Sequence, residues 1–110
     1  MLDIRLYMLQ RLSALFMGPF VLVHIAVMIY AIQGGLSTGE ILGRTQGSVT
    51  WFLFYAMFVI AVSVHSAIGL RVIVHEFLGL KGFALSTLTW TICVVLLFMG
   101  GRAVTAVTML

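Results

Sequence analysis

The chemistry of this chain concentrates in one stretch, His65-Ser66-Ala67-Ile68-Gly69-Leu70-Arg71-Val72-Ile73-Val74-His75-Glu76. It closes an apolar run with no Asp, Glu, Lys or Arg from Thr45 to Leu70. A histidine therefore lies deep in a segment that reads as membrane, where ionisable groups are costly and usually serve a function. On a helix, residues 65, 69, 72 and 76 share one face, which reads His, Gly, Val, Glu. A glycine four residues from the imidazole removes a side chain one turn away. A flat macrocycle held by the histidine needs that gap, and haem b is held by a neutral imidazole of this kind. The other reading of His65 is a hydrogen bond between helices.

Arg71, His75 and Glu76 follow near the water boundary. Haem propionates are carboxylates and take Arg or His partners. A quinone needs hydrogen-bond donors and a route for protons. Arg71 serves either a propionate or its own escape to the interface. His75 is turned about a quarter of the way round the helix from His65 and reads as a surface or interface residue. His24 is a second deep histidine, but Met28 stands four residues after it. It reads either as an axial ligand or as a packed or propionate-facing residue. Ser13 to His24 and His65 to Glu76 are both spacings of eleven residues. Counted from the inferred boundaries, both histidines are about 16 Å deep, a depth at which they could face one cofactor layer with different partners. Arg11 and Ser13 open the first apolar run, with Tyr7 one turn earlier. They can bind a polar head group, or act only as a topology charge and a helix cap.

The elements that carry these residues follow from composition. The 110 residues are 63% hydrophobic and 8% charged, against about a quarter charged in an ordinary soluble domain. That much apolar surface cannot be hidden in a sphere of this size, so the expected fold is an all-α integral membrane protein. Residues 1–110 form a single domain with three transmembrane helices at roughly 12–32, 49–75 and 83–101. Gly18-Pro19 should kink the first span. Met1 to Leu9 reads as an amphipathic lead at the interface. Gln33 to Ser48 is a loop in which Ser37-Thr38-Gly39-Glu40 begins a short segment. A mild apolar tail follows Gly100-Gly101-Arg102.

Charge sets the topology. Arg5, Arg11, Arg71 and Lys81 fall on one side of the membrane, and Arg44 and Arg102 on the other. The excess places the N-terminus in the cytoplasm. The first apolar run is too long for a cleaved signal, and no Arg- and Ser-rich transit segment precedes it. The expected location is a bacterial cytoplasmic (inner) membrane. The basic residues do not cluster with exposed aromatics, which argues against nucleic-acid binding. Cys93 is the sole cysteine, with no partner for a disulfide or a zinc site within the chain. Nothing resembles a hydrolase constellation or a phosphate loop, and no span presents the continuous polar face of a channel.

These residues resemble a family. His65, Gly69, Leu70, Arg71 and Glu76 are similar to the second-helix signature of the cytochrome b membrane-anchor subunits of succinate dehydrogenase and fumarate reductase. That signature is His, three residues, Gly, an aliphatic, Arg, and an acid eleven residues after the His. Gln10-Arg11-Leu12-Ser13 resembles the His-Arg-x-Ser/Thr of the first helix, with Gln10 in place of the usual histidine. Glu76 stands for the usual Asp, and Phe77 stands where some partner subunits have a quinone-binding Tyr. The resemblance implies a bundle with a second anchor subunit, docked to iron–sulfur and flavoprotein subunits. It implies haem b with His65 as an axial ligand and the opposite ligand from the partner anchor. Arg11 and Ser13 would lie near the quinone or a propionate, and Glu76 by the quinone pocket. His24 has a counterpart only in two-haem variants, so one or two haems are expected. No residue of this chain would be catalytic toward the dicarboxylate. The alternatives are a haem-free structural anchor, or a haem b subunit of a hydrogenase- or formate dehydrogenase-type enzyme.

Overall fold

A computed structural model describes residues 3–109. It contains four helices in the order α1 (Ile4–Gly34), α2 (Thr38–Thr45), α3 (Val49–Leu78) and α4 (Gly82–Thr108), with no strand among the described residues. α1, α3 and α4 are long and apolar enough to cross a membrane, and the fold is the all-α integral membrane bundle expected. Residues 1, 2 and 110 of the expected domain lie outside the described residues.

Element boundaries differ from expectation at three places. α1 begins at Ile4, so the lead and the first span are one helix of 31 residues. Asp3 caps it by accepting the Leu6 amide at 2.9 Å, and nothing between there and Leu12 breaks a helix. The helix also continues through Pro19, whose missing N–H leaves the Leu15 carbonyl without its usual partner, a defect that membrane helices tolerate. α2 is a full short helix, capped by Ser37 accepting the Glu40 amide at 3.2 Å. α4 runs through Gly100-Gly101 to Thr108 instead of ending near residue 101. Two glycines in a helix cost roughly 1 kcal/mol each, but packing holds this end. Val104 and Thr108 are buried, the Thr45 hydroxyl donates to the Val107 carbonyl at 2.7 Å, and the Gly47 amide donates to the Thr108 carbonyl at 2.7 Å.

α3 is the spine. α1 and α4 each pack on it, and make little contact with each other. Its buried residues are mostly small: Ala61, Ser63 and Ala67, with Ile68. Small residues four apart let helix backbones approach in a membrane, where apolar side chains gain nothing by leaving lipid. Gly100 completes the approach from α4, since a Cβ there would stand 2.5 Å from Val59 Cγ1. α1 lies antiparallel to α3. Ser13 meets His65 near one end, and Phe20 meets Phe54 edge-on at 5.2 Å in the middle. His24 meets Tyr55 toward the other end, with ring centroids 6.2 Å apart. Ser13 is the one buried residue of α1. The outer faces are large and apolar, as in Leu15, Leu22 and Trp90, which suits lipid and partner helices.

The extent of 47 Å along the long axis exceeds a hydrocarbon core of about 30 Å, so the helix ends reach the headgroups. Gly79, at φ 68°, ends α3 in the left-handed conformation. His75 then donates Nδ1–H to the Leu80 carbonyl at 2.9 Å and pins the turn into α4.

Gly100→Leu should lower the stability of the purified protein in detergent by about 1–3 kcal/mol. Gly101→Leu should leave the thermal midpoint near wild type, because a Cβ at Gly101 meets nothing within 4 Å.

Candidate functional site

The rotation of α3 is set by Ser63 and Ala67, which are almost fully buried. That leaves His65, on another face, half-buried beside α1. Ser13 lies opposite. Its hydroxyl is 2.9 Å from the Gln10 carbonyl and 3.2 Å from His65 Nδ1. A serine hydroxyl has one proton, and a carbonyl can only accept. The proton therefore goes to Gln10, and the serine oxygen accepts from Nδ1–H of His65. In that tautomer Nε2 keeps its lone pair, the state needed to ligate a metal.

His65 lines an open cleft of about 460 Å³ with Gln10, Arg11, Ala14 and Leu15. The Gln10 side chain reaches over Gly69, where a Cβ would stand 3.5 Å from Gln10 Nε2. Among the described residues Gln10 Oε1 is buried without a hydrogen-bond partner, an acceptor facing no donor there. Arg11 is exposed at the rim, donates to the Tyr7 hydroxyl at 3.2 Å and stacks over its ring at 5.7 Å. Tyr7 thus steers the guanidinium.

The other residues singled out in the sequence do not all converge here. Glu76 is exposed, eleven residues beyond His65 and so about 16 Å further along α3. Arg71 lies in a different cleft, between α3, α4 and the start of α1. Its guanidinium donates to the Thr89 hydroxyl at 3.3 Å.

His24 occupies a third cleft, of about 770 Å³, with Tyr30, Arg44, Trp51 and Tyr55. Its ring packs against Phe58 at 5.3 Å, and its buried Nδ1 has no partner. Arg44 closes one side, over the Tyr30 ring and bonded to the Gly35 carbonyl at 3.1 Å. The expectation of one cofactor layer for both histidines is corrected here. His65 is level with Ser13, whereas His24 is eleven residues further along α1. The two are about 10–16 Å apart along the bundle at 1.5 Å per residue. Counting each histidine's level from its own inferred boundary misled because α1 starts at Ile4, nine residues before Ser13.

Among the described residues no three of His, Cys, Asp and Glu converge on a point. The hydroxyl of Thr89 carried no signal in the sequence, and Gln10 drew notice only as a departure from the first-helix motif. Their importance depends on which helix faces which.

The family model of the succinate dehydrogenase/fumarate reductase transmembrane subunit matches residues 2–106. The chain belongs to this family. No curated protein and no solved structure gave a significant match.

The tautomer is directly testable. ¹⁵N-histidine NMR of the haem-free chain should report Nδ1–H and an unprotonated Nε2 at His65. Ser13→Ala should shift that population toward Nε2–H.

Proposed function

We propose that this subunit of the succinate dehydrogenase/fumarate reductase complex binds haem b and forms part of the quinone site. The observation that carries the reading is the Ser13–His65 hydrogen bond, 3.2 Å long, with the serine proton committed to Gln10. It leaves His65 Nε2 as a fixed, neutral nitrogen donor beside an open cleft. The residues fit the group. Haem b needs one imidazole from this chain, and its second nitrogen is already satisfied, as is usual for metal-ligating histidines. A second anchor subunit would supply the other haem ligand. When bound, the haem supplies a one-electron carrier whose potential depends on its ligands and the polarity of its pocket.

The chain's own residues would do the following. Ser13 orients the His65 ring and fixes its tautomer. Because its proton is already given to Gln10, the donor to a quinone carbonyl at the cleft rim falls to Arg11, steered by Tyr7. The carbonyl oxygen of the Gln10 side chain, unpartnered and buried, would take a donor from the ligand or the partner subunit. Glu76, exposed nearer the helix end, would exchange protons with water on the quinone side. In a two-haem complex His24 would hold the second haem, with Arg44 lining the same cleft. Iron–sulfur and flavoprotein subunits would dock on the side that carries Arg5, Arg11, Arg71 and Lys81, which the charge excess makes cytoplasmic in a bacterial inner membrane. Dicarboxylate chemistry would occur on the flavoprotein.

A haem-free structural anchor is the second reading, and the same hydrogen bond favours it, since buried polar groups also join helices without a cofactor. A hydrogenase- or formate dehydrogenase-type subunit has no such support, given the family to which the chain belongs.

Pyridine-haem quantification per purified complex decides between the first two. His65→Ala should lose haem, with the complex still assembled. His24→Ala should leave the haem content of a one-haem complex unchanged, and halve that of a two-haem complex. Full haem retention in His65→Ala, or a wild-type complex with no b-type band, would leave the structural anchor as the function.

A further inference from the structure

A cleft of about 360 Å³ opens on the side of α1 away from His65. We propose that it binds the phosphodiester of a membrane phospholipid, with an acyl chain laid in the groove between α1 and α4. Arg71 is its centre. The Thr89 hydroxyl gives its proton to the Leu85 carbonyl at 2.8 Å, so its oxygen is free to accept from the Arg71 guanidinium. Arg71 Nε is buried and has no hydrogen-bond partner among the described residues. A guanidinium is charged at any accessible pH. Within a membrane bundle such a charge calls for an anion.

The surroundings indicate which anion. Arg5 lines the same cleft, so two cations face it. Asp3 also lines it, with one carboxylate oxygen taken by the Leu6 amide that it caps. The cations remain in excess. Leu9, Ile68 and Trp90 form apolar walls. α1 and α4 flank α3 while making little contact with each other, which leaves an apolar groove beside the charged pocket. Trp90 is 71% exposed along it, as suits an aromatic ring against lipid. Arg71 is seven residues from the end of α3 at Leu78, or about 10 Å. Its guanidinium is held at Thr89, seven residues into α4, so the head stands at that depth, and Asp3 and Arg5 line the same cleft. An anion at His65 is a poor alternative. Arg71 is turned about 120° from His65 around α3 at 100° per residue, and the start of α1 stands beside its cleft.

The test uses the intact complex, purified in mild detergent and washed. Bound phospholipid is read by native mass spectrometry, with haem content and thermal midpoint measured on the same samples. Wild type should retain a phospholipid through the wash. Arg71→Gln should hold it about tenfold more weakly, as expected for a lost charge-assisted hydrogen bond. Arg71→Lys should retain most of it. Leu9→Trp, which fills the groove and keeps both cations, should also release it. Haem per complex should not change in any variant. The proposal therefore stands or falls separately from the His65 assignment. Equal lipid retention in wild type and Arg71→Gln would overturn it. So would haem loss in Arg71→Gln with lipid retained, which would make Arg71 a cofactor contact. Protection of the washed complex by inorganic phosphate as effectively as by phospholipid vesicles would identify a free anion site and overturn the lipid assignment.

Discussion

The site turns on one proton. Ser13 has a single hydroxyl hydrogen and two neighbours, the Gln10 carbonyl and His65 Nδ1. The carbonyl cannot donate, so the direction of both bonds is fixed and the tautomer of His65 follows. In water such a chain would be weak and readily exchanged. In a low-dielectric bundle, an unpaired polar group is expensive and a satisfied chain holds its geometry. The same helix turn that opens α1's contact with α3 therefore decides which imidazole nitrogen is available. Ser13 is the only residue that α1 buries, which makes its position a consequence of helix packing and not of a flexible rotamer.

That packing follows membrane rules. α3 presents Ala61, Ser63 and Ala67 inward, and α4 answers with Gly100 against Val59. Close backbone approach replaces the large apolar core of a soluble domain, and the large side chains go outward. α1 packs mainly along its line of contact with α3, with clefts on both sides. One side holds His65, Gln10 and Arg11, and the other holds Arg71 and Thr89. A single helix, α1, separates these two polar groups.

Much of the architecture was legible in the sequence because an apolar run of about 20 residues has the length that a helix needs to cross a hydrocarbon core. His65 stood out for the same reason: a lone histidine in such a run is costly. The pairing of Ser13 with His65 was not legible, although both residues drew notice. Pairing depends on how far α1 slides along α3, which Phe20, Phe54 and Phe58 set by ring packing. The level of His24 relative to His65 was misjudged because hydropathy marks where lipid begins and not where a helix begins. Arg71 shares a motif with His65 but not a face, and its partner Thr89 comes from another helix. The continuation of α4 past Gly100-Gly101 was hidden because glycine's intrinsic cost is visible in a sequence and the contact that offsets it is not.

The most direct measurement of the central assignment is the visible spectrum of a His65→Gly complex, recorded with and without added imidazole. Axial ligation by His65 predicts loss of the low-spin b-type spectrum in this variant and its return when free imidazole occupies the vacated position. An unchanged b-type spectrum in His65→Gly without imidazole would contradict it.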